Sequence, residues 1–110
     1  MKKILLVAAL LLLAAGCGAK QIPVTNTTQT ITTKSYTMAE VLAGNSAAKC
    51  WVAINGKVYD LTNWVGMHPG GPDNILAICG TDATQAFDSQ HGGQRRPAEE
   101  LAKFEIGVLR

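Results

Sequence analysis

The sequence predicts an α+β domain in which a small mixed sheet lies beneath short helices that wall a pocket, and three observations carry that prediction. The first is a hairpin signal: the apolar run 51–54 and the segment 57–60 flank Asn55-Gly56, the dipeptide favoured where both central residues of a tight turn need positive φ. The second is a set of short helix starts, marked by Thr37, Thr62, Asp82 and Pro97, each a capping residue or a helix-opening proline. The third is the placing of the two histidines, His68 and His91, among glycines and apolar residues. The 22 residues between them are enough for two short helices, which gives the two rings room to stand on separate walls of one slot; a turn with a surface or satisfied core histidine is the alternative.

The chain begins Met1-Lys2-Lys3, followed by an apolar run of 12 residues, 4–15, that ends at Gly16-Cys17. A basic start and a short apolar stretch have the layout of a signal peptide, too short to serve comfortably as a membrane span. Leu13-Ala14-Ala15-Gly16-Cys17 resembles the bacterial lipoprotein signal, in which the cysteine is lipidated and becomes the new N-terminus, although Ala14 stands where leucine is usual. The expectation is removal of residues 1–16 and lipid on Cys17, with a plain secretory cleavage nearby as the alternative. Loss of Lys2 and Lys3 takes the formal charge from +2 to zero, leaving eight Lys and Arg against eight Asp and Glu. With no basic cluster beyond Arg95-Arg96 and no aromatic residues interleaved with it, nucleic-acid binding has nothing to rest on.

Residues 18–34 are rich in threonine, glutamine and small residues, and their isolated Ile22, Val24 and Ile31 make no core pattern. They read as a tether between lipid and folded domain, with a short N-terminal strand as the alternative. The domain itself is expected over residues 35–110. Thr37 caps a helix through Ala43, with Glu40 completing a capping box, and Gly44-Asn45 stops it. The hairpin follows, with Val52, Ile54 and Val58 expected in a core beneath the pocket and Tyr59 in a structural role. Thr62 leads into a short turn that holds Trp64 and Val65. Helices are then expected over residues 73–78 and 82–88, the second capped by Asp82, with Leu76 and Ile78 facing the core. After His91 the polar, glycine-rich stretch Gly92-Gly93-Gln94-Arg95-Arg96 leads to Pro97, which opens a helix at Ala98. On it Leu101 faces the pocket and Phe104 packs. Residues 106–109 form a terminal strand or a core-sealing tail.

With Cys17 reserved for lipid, Cys50 and Cys79 remain as an even pair in an exported chain. A bond between them closes a loop of about 30 residues, worth roughly 3 to 4 kcal/mol on the chain-entropy model. Two free buried thiols are the alternative. No Cys-x-x-Cys-His stretch is present, so nothing points to covalent haem attachment.

Read together, the stretch Cys50 through Trp64, then His68-Pro69-Gly70-Gly71, then Gly80-Thr81-Asp82-Ala83-Thr84-Gln85-Ala86-Phe87, then His91, and the closing Phe104-Glu105-Ile106-Gly107-Val108-Leu109 resemble the haem-binding domain of cytochrome b5. The resemblance covers about residues 35–110, with its motifs in family order and near family spacing. It implies noncovalent haem b, with His68 and His91 as the two axial ligands of the iron and Trp64, Ile75 and Phe87 against the macrocycle, joined there by Leu101. Two departures stand out. His91 lies one residue nearer Phe87 than is usual, and glycines follow it where serine is common.

Two nitrogen ligands leave a haem iron no vacant site for dioxygen or peroxide, which suits one-electron exchange rather than substrate chemistry. The resemblance therefore implies an electron carrier, not an enzyme, that accepts from one redox protein and donates to another, and the N-terminal signal adds the expectation that it is lipid-tethered in the periplasm. Asp73, Asp82, Asp88, Glu99 and Glu100 offer a weak docking surface for a basic partner, or are simply solvated helix residues. The runner-up is a haem storage, handover or sensing module. A neutral-ligand-binding module of the same shape is disfavoured, because such relatives lack the histidine pair.

Overall fold

A computed structural model describes residues 32–110. The signal-peptide, Cys17 and tether expectations lie outside these residues, save for the last few positions before the first strand. In chain order the elements are β1 (Ser35–Tyr36), α1 (Met38–Leu42), β2 (Asn45–Ser46), β3 (Lys49–Ile54), β4 (Lys57–Asp60), a 3-10 turn (Thr62–Trp64), α2 (Pro72–Leu76), β5 (Thr81–Asp82), α3 (Thr84–His91), α4 (Arg95–Ala102) and β6 (Glu105–Leu109). Among the described residues no helix is long and apolar enough to cross a membrane.

Asn55 and Gly56 take φ values of 50° and 75°, and their turn joins β3 to β4 antiparallel with Ile54 opposite Lys57. The strand order is β1-β6-β4-β3-β2, with β5 also paired to β3. The sheet is mixed, because β1 runs parallel to β6 and β5 parallel to β3.

Strand alternation sends the side chains of β3 to opposite faces. Cys50, Val52 and Ile54 enter the core under the pocket together with Tyr59, Leu61 and Ile75. Ala53 joins a second core with Tyr36, Val41 and Val58, against which Trp51 packs. Val58 thus lies on the face away from the pocket, contrary to the sequence expectation. It pairs with Ala53 and Tyr59 pairs with Val52, and cross-strand partners share a face. A central strand covered on both faces reads as a nearly continuous apolar run, which hides which residue faces which core.

Helix α1 carries the expected capping box: the Glu40 N–H donates to Thr37 Oγ1 at 3.2 Å and the Thr37 N–H to Glu40 Oε2 at 2.7 Å. The backbone hydrogen bond from Thr37 is the main reason the Glu40 carboxyl titrates below its ordinary value. Thr37→Ala is expected to cost about 1 kcal/mol of stability, read as a lowered urea midpoint at unchanged slope.

The boundaries of three helices differ from the sequence expectation. Helix α2 opens with Pro72 in its first turn and ends at Leu76, two residues early; the chain then tightens, with the Ile78 N–H donating to the Ile75 carbonyl. Leu76 is 38% exposed rather than turned to the core. Helix α3 starts at Thr84, and Asp82 falls in β5, where its carboxylate accepts from the Thr84 hydroxyl and N–H. Those hydrogen bonds hold the Asp82 carboxyl below its ordinary range. Their stabilisation is therefore present above the unfolded-state pKa and lost as the pH falls through the folded one. At its other end α3 continues through His91, since no residue breaks it before Gly92. Helix α4 begins at Arg95, not Ala98. Pro97 is its third residue, where the missing N–H would have had no intrahelical acceptor.

Cys50 of β3 and Cys79, just beyond α2, are joined sulfur to sulfur, with Cα atoms 4.7 Å apart. The bridge ties the sheet to the segment that carries Ile75 and Ile78.

Candidate functional site

Between the sheet and the helices lies a cavity of about 710 Å³, within the range of small-molecule and cofactor sites. Its lining comes from Ile54 of β3 and Leu61 just after β4, Trp64 and the 68–70 turn, Ile75 and Ile78 in and after α2, Ala86, Phe87 and His91 of α3, and Leu101 and Phe104 in and after α4. Apolar groups predominate, so a flat hydrophobic body is what the slot would take from water.

His68 is held by a closed turn. The Gly71 N–H donates to the His68 carbonyl at 2.9 Å, while His68 Nδ1 stands 3.2 Å from the Gly71 carbonyl oxygen. A carbonyl only accepts, so this contact places the proton on Nδ1 and leaves the Nε2 lone pair for a metal. The acceptor is therefore the Gly71 carbonyl. The turn needs both of its glycines. Gly71 has φ +92°, and a Cβ on Gly70 would lie 2.8 Å from His68 Cε1. Gly70→Ala should push the imidazole out of line and accelerate haem loss roughly tenfold, as removal of a ligand's supporting contacts does; transfer of haem to an excess of acceptor protein measures it.

His91 closes α3, and Phe87 lies one helical turn before it, the ring centroids 5.4 Å apart. The four-residue separation puts both rings on the same helix face. That answers the shortened spacing in the sequence: His91 reaches the slot from a helix, not from a glycine loop. Its Nδ1 is buried and has no hydrogen-bond partner among the described residues. The opposing ligand is thus braced and this one is not.

The two imidazole centroids are 6.3 Å apart, their planes inclined by 75°. That separation leaves room for a metal ion that both imidazoles would hold, one nitrogen from each. Among the described residues no three His, Cys, Asp or Glu side chains converge as a metal cluster. Two imidazoles are too few donors for a metal site closed by protein alone, and the apolar slot they line would take a flat macrocycle that supplies the rest. The residues present fit haem.

The structure brings Trp64, His68, Ile75, Phe87, His91 and Leu101 to one cavity. Trp64 packs edge-on to His68 at 5.9 Å and against Phe104 at 5.4 Å, so Phe104 serves the pocket as well as the core. Sequence reasoning also missed Leu61 and Ala86 as lining residues. Leu61 follows the second hairpin strand and carried no signal of its own, and Ala86 is marked only by lying in the helix that bears Phe87. Of the acidic residues considered for docking, Glu99 and Glu100 are engaged by Arg95 and Lys103 and Asp82 by Thr84; Asp73 and Asp88 are exposed.

The family of cytochrome b5-like heme/steroid binding domains matches residues 37–110. Cytochrome b558 of Ectothiorhodospira vacuolata, a prokaryotic homologue of cytochrome b5, is 37% identical and superposes with a TM-score of 0.64 over 71% of this chain and 100% of its own. The cytochrome b5 of Ostreococcus tauri virus 2 is 32% identical, with a TM-score of 0.60 over 67% of this chain and 94% of its own. The Delta(5) fatty acid desaturase A of Dictyostelium discoideum is 43% identical over 79 residues, 72% of this chain and 17% of that protein. The nitrate reductase of Volvox carteri is 43% identical over 76 residues, 69% of this chain and 9% of that protein. The chain thus spans about a sixth or less of these longer relatives.

Proposed function

The chain belongs to the family of cytochrome b5-like heme/steroid binding domains, and from that premise we propose that it is a periplasmic, membrane-tethered b-type cytochrome carrying single electrons between a donor and an acceptor redox protein. At the coarser level it is a cytochrome b5-like electron-transfer domain and not an enzyme. The observation that supports the b-type cytochrome part of this proposal is the pair of imidazoles 6.3 Å apart in an apolar slot. Bound haem supplies one-electron exchange at iron. His68, with its proton directed at Gly71, would ligate through Nε2, and His91 would ligate from the end of α3. Trp64, Ile75, Phe87 and Leu101 exclude water from the ring faces, and burial of that kind raises the share of the potential set by the protein. An optical titration of the purified chain with haem in both oxidation states tests this. One equivalent giving six-coordinate low-spin spectra in each state is the expected result; a high-spin or substoichiometric product would sink the assignment.

The rival reading, haem storage, handover or sensing, draws support from the unpartnered Nδ1 of His91, since a less firmly oriented ligand dissociates more readily. Haem leaving the wild-type protein within minutes would favour it over electron carriage. The tether proposal rests on the basic start, the apolar run and the small residues before Cys17. Intact mass of membrane-extracted protein should show loss of residues 1–16 and added acyl mass; a mature form cleaved elsewhere and free of lipid would remove it.

A further inference from the structure

We propose that Arg96 is the residue that pairs with the carboxylate side chains of the bound porphyrin, an inference that rests on the haem reading above. An apolar slot that takes in the ring of haem must leave its two carboxylates at the mouth, because an ionised group is not buried without a partner. Arg96 is the only lysine or arginine among the described residues lining the cavity, and it is exposed, which places it at that mouth. Its charge is also uncommitted. On the same helix Arg95 Nε lies 3.6 Å from Glu99 Oε1, while Lys103 Nζ lies 2.8 Å from Glu100 Oε2. Glu100 is the carboxylate one helical turn from Arg96 and its natural i,i+4 partner. Lys103 has taken it, and Arg96 makes no ion pair among the described residues.

The early start of α4 is what positions the side chain. Beginning at Arg95 rather than Ala98 puts Arg96 in the first turn, on the face that also carries Glu100 and, beside it, Pro97 and Leu101. Had the helix opened at Ala98, Arg96 would belong to the loop with no defined direction. Competing donors at the rim are fewer than the sequence suggests, since Asn74 Nδ2 already donates to the Gly70 carbonyl at 2.8 Å. A guanidinium offers a planar fork that matches a carboxylate with two parallel hydrogen bonds. Lysine would supply the charge without the fork.

The test compares the full chain loaded with iron protoporphyrin IX or with its dimethyl ester, which has the same ring and no carboxylate charge, in wild type, Arg96→Gln and Arg96→Lys. Arg96→Gln should release the protoporphyrin about three- to fivefold faster than wild type, the scale of a partly exposed ion pair. Arg96→Lys should fall between, and the ester should leave all three proteins at one rate. If Arg96→Gln speeds the loss of both cofactors alike, Arg96 merely packs the rim and the proposal is overturned. If it changes neither rate, the arginine is idle and the proposal is equally overturned. Wild type that fails to form a six-coordinate low-spin species would instead bring down the haem reading and this inference with it, a result separable from the other two by its spectrum alone.

Discussion

Oxidised protein loaded with haem is expected to give a low-spin bis-imidazole electron paramagnetic resonance signal, and His68→Ala and His91→Ala are each expected to abolish it. Each substitution removes one of two imidazoles set 6.3 Å apart and opens a coordination position. External imidazole or cyanide should then bind, and free imidazole should restore the low-spin state. Haem affinity should fall by more than the roughly 10–100-fold that loss of a supporting contact to a ligand costs, because a ligand itself is gone. The two variants should differ. His91→Ala keeps the ligand braced by Gly71 and the apolar contacts of Trp64, Ile75 and Phe87, whereas His68→Ala keeps the ligand whose Nδ1 has no acceptor. More residual haem is therefore expected in His91→Ala. A low-spin signal that persists unchanged in either variant would exclude the ligand pair and the strongest reason for reading the protein as an electron carrier.

The second large effect concerns Cys50 and Cys79. Peptide mapping without reductant is expected to recover them in one linked fragment. Replacing both by alanine should lower stability by about 3 kcal/mol for a loop of this length, which in a domain of this size is a fall in Tm on the order of 15 °C. Both residues are nearly inaccessible to solvent, so the bridge should resist mild reductants in the folded protein. The bond joins the strand under the pocket to the segment just after α2, with Cys79 Sγ 3.3 Å from the Ile75 carbonyl oxygen. Neither cysteine is among the residues lining the cavity, so the spectrum of bound haem should change far less than the melting temperature. Recovery of two free thiols from the exported protein, or a Tm within about 2 °C of wild type, would overturn this account.

The pocket was legible where function is carried by residue types that do little else. Two histidines beside glycines, an Asn-Gly turn and a capping box each announce a local geometry in a few consecutive residues. The walls were less legible. Leu61, Ala86 and Phe104 are apolar residues whose facing depends on what packs against them, and their spacing suits a plain core equally well. Arg96 was read as part of a polar loop because Pro97 looked like a helix start. In fact proline is tolerated at any of the first positions that lack an acceptor, and the helix begins two residues before it.

What the sequence by itself determined, through short-range chemistry, was the α+β class, the β3–β4 hairpin, the α1 cap and the two histidines. A turn type, a cap and a ligand are each specified by side chains a few residues apart. Only the tertiary structure decided which face of the sheet each residue serves, where α2, α3 and α4 begin and end, and that Thr81–Asp82 pairs with β3. It also decided that Gly71 orients His68 while His91 Nδ1 has no partner among the described residues. Those outcomes depend on contacts between segments distant in the chain, such as Val52 against Thr81 and Cys50 against Cys79, and the packing energy that selects them exists only once the segments meet.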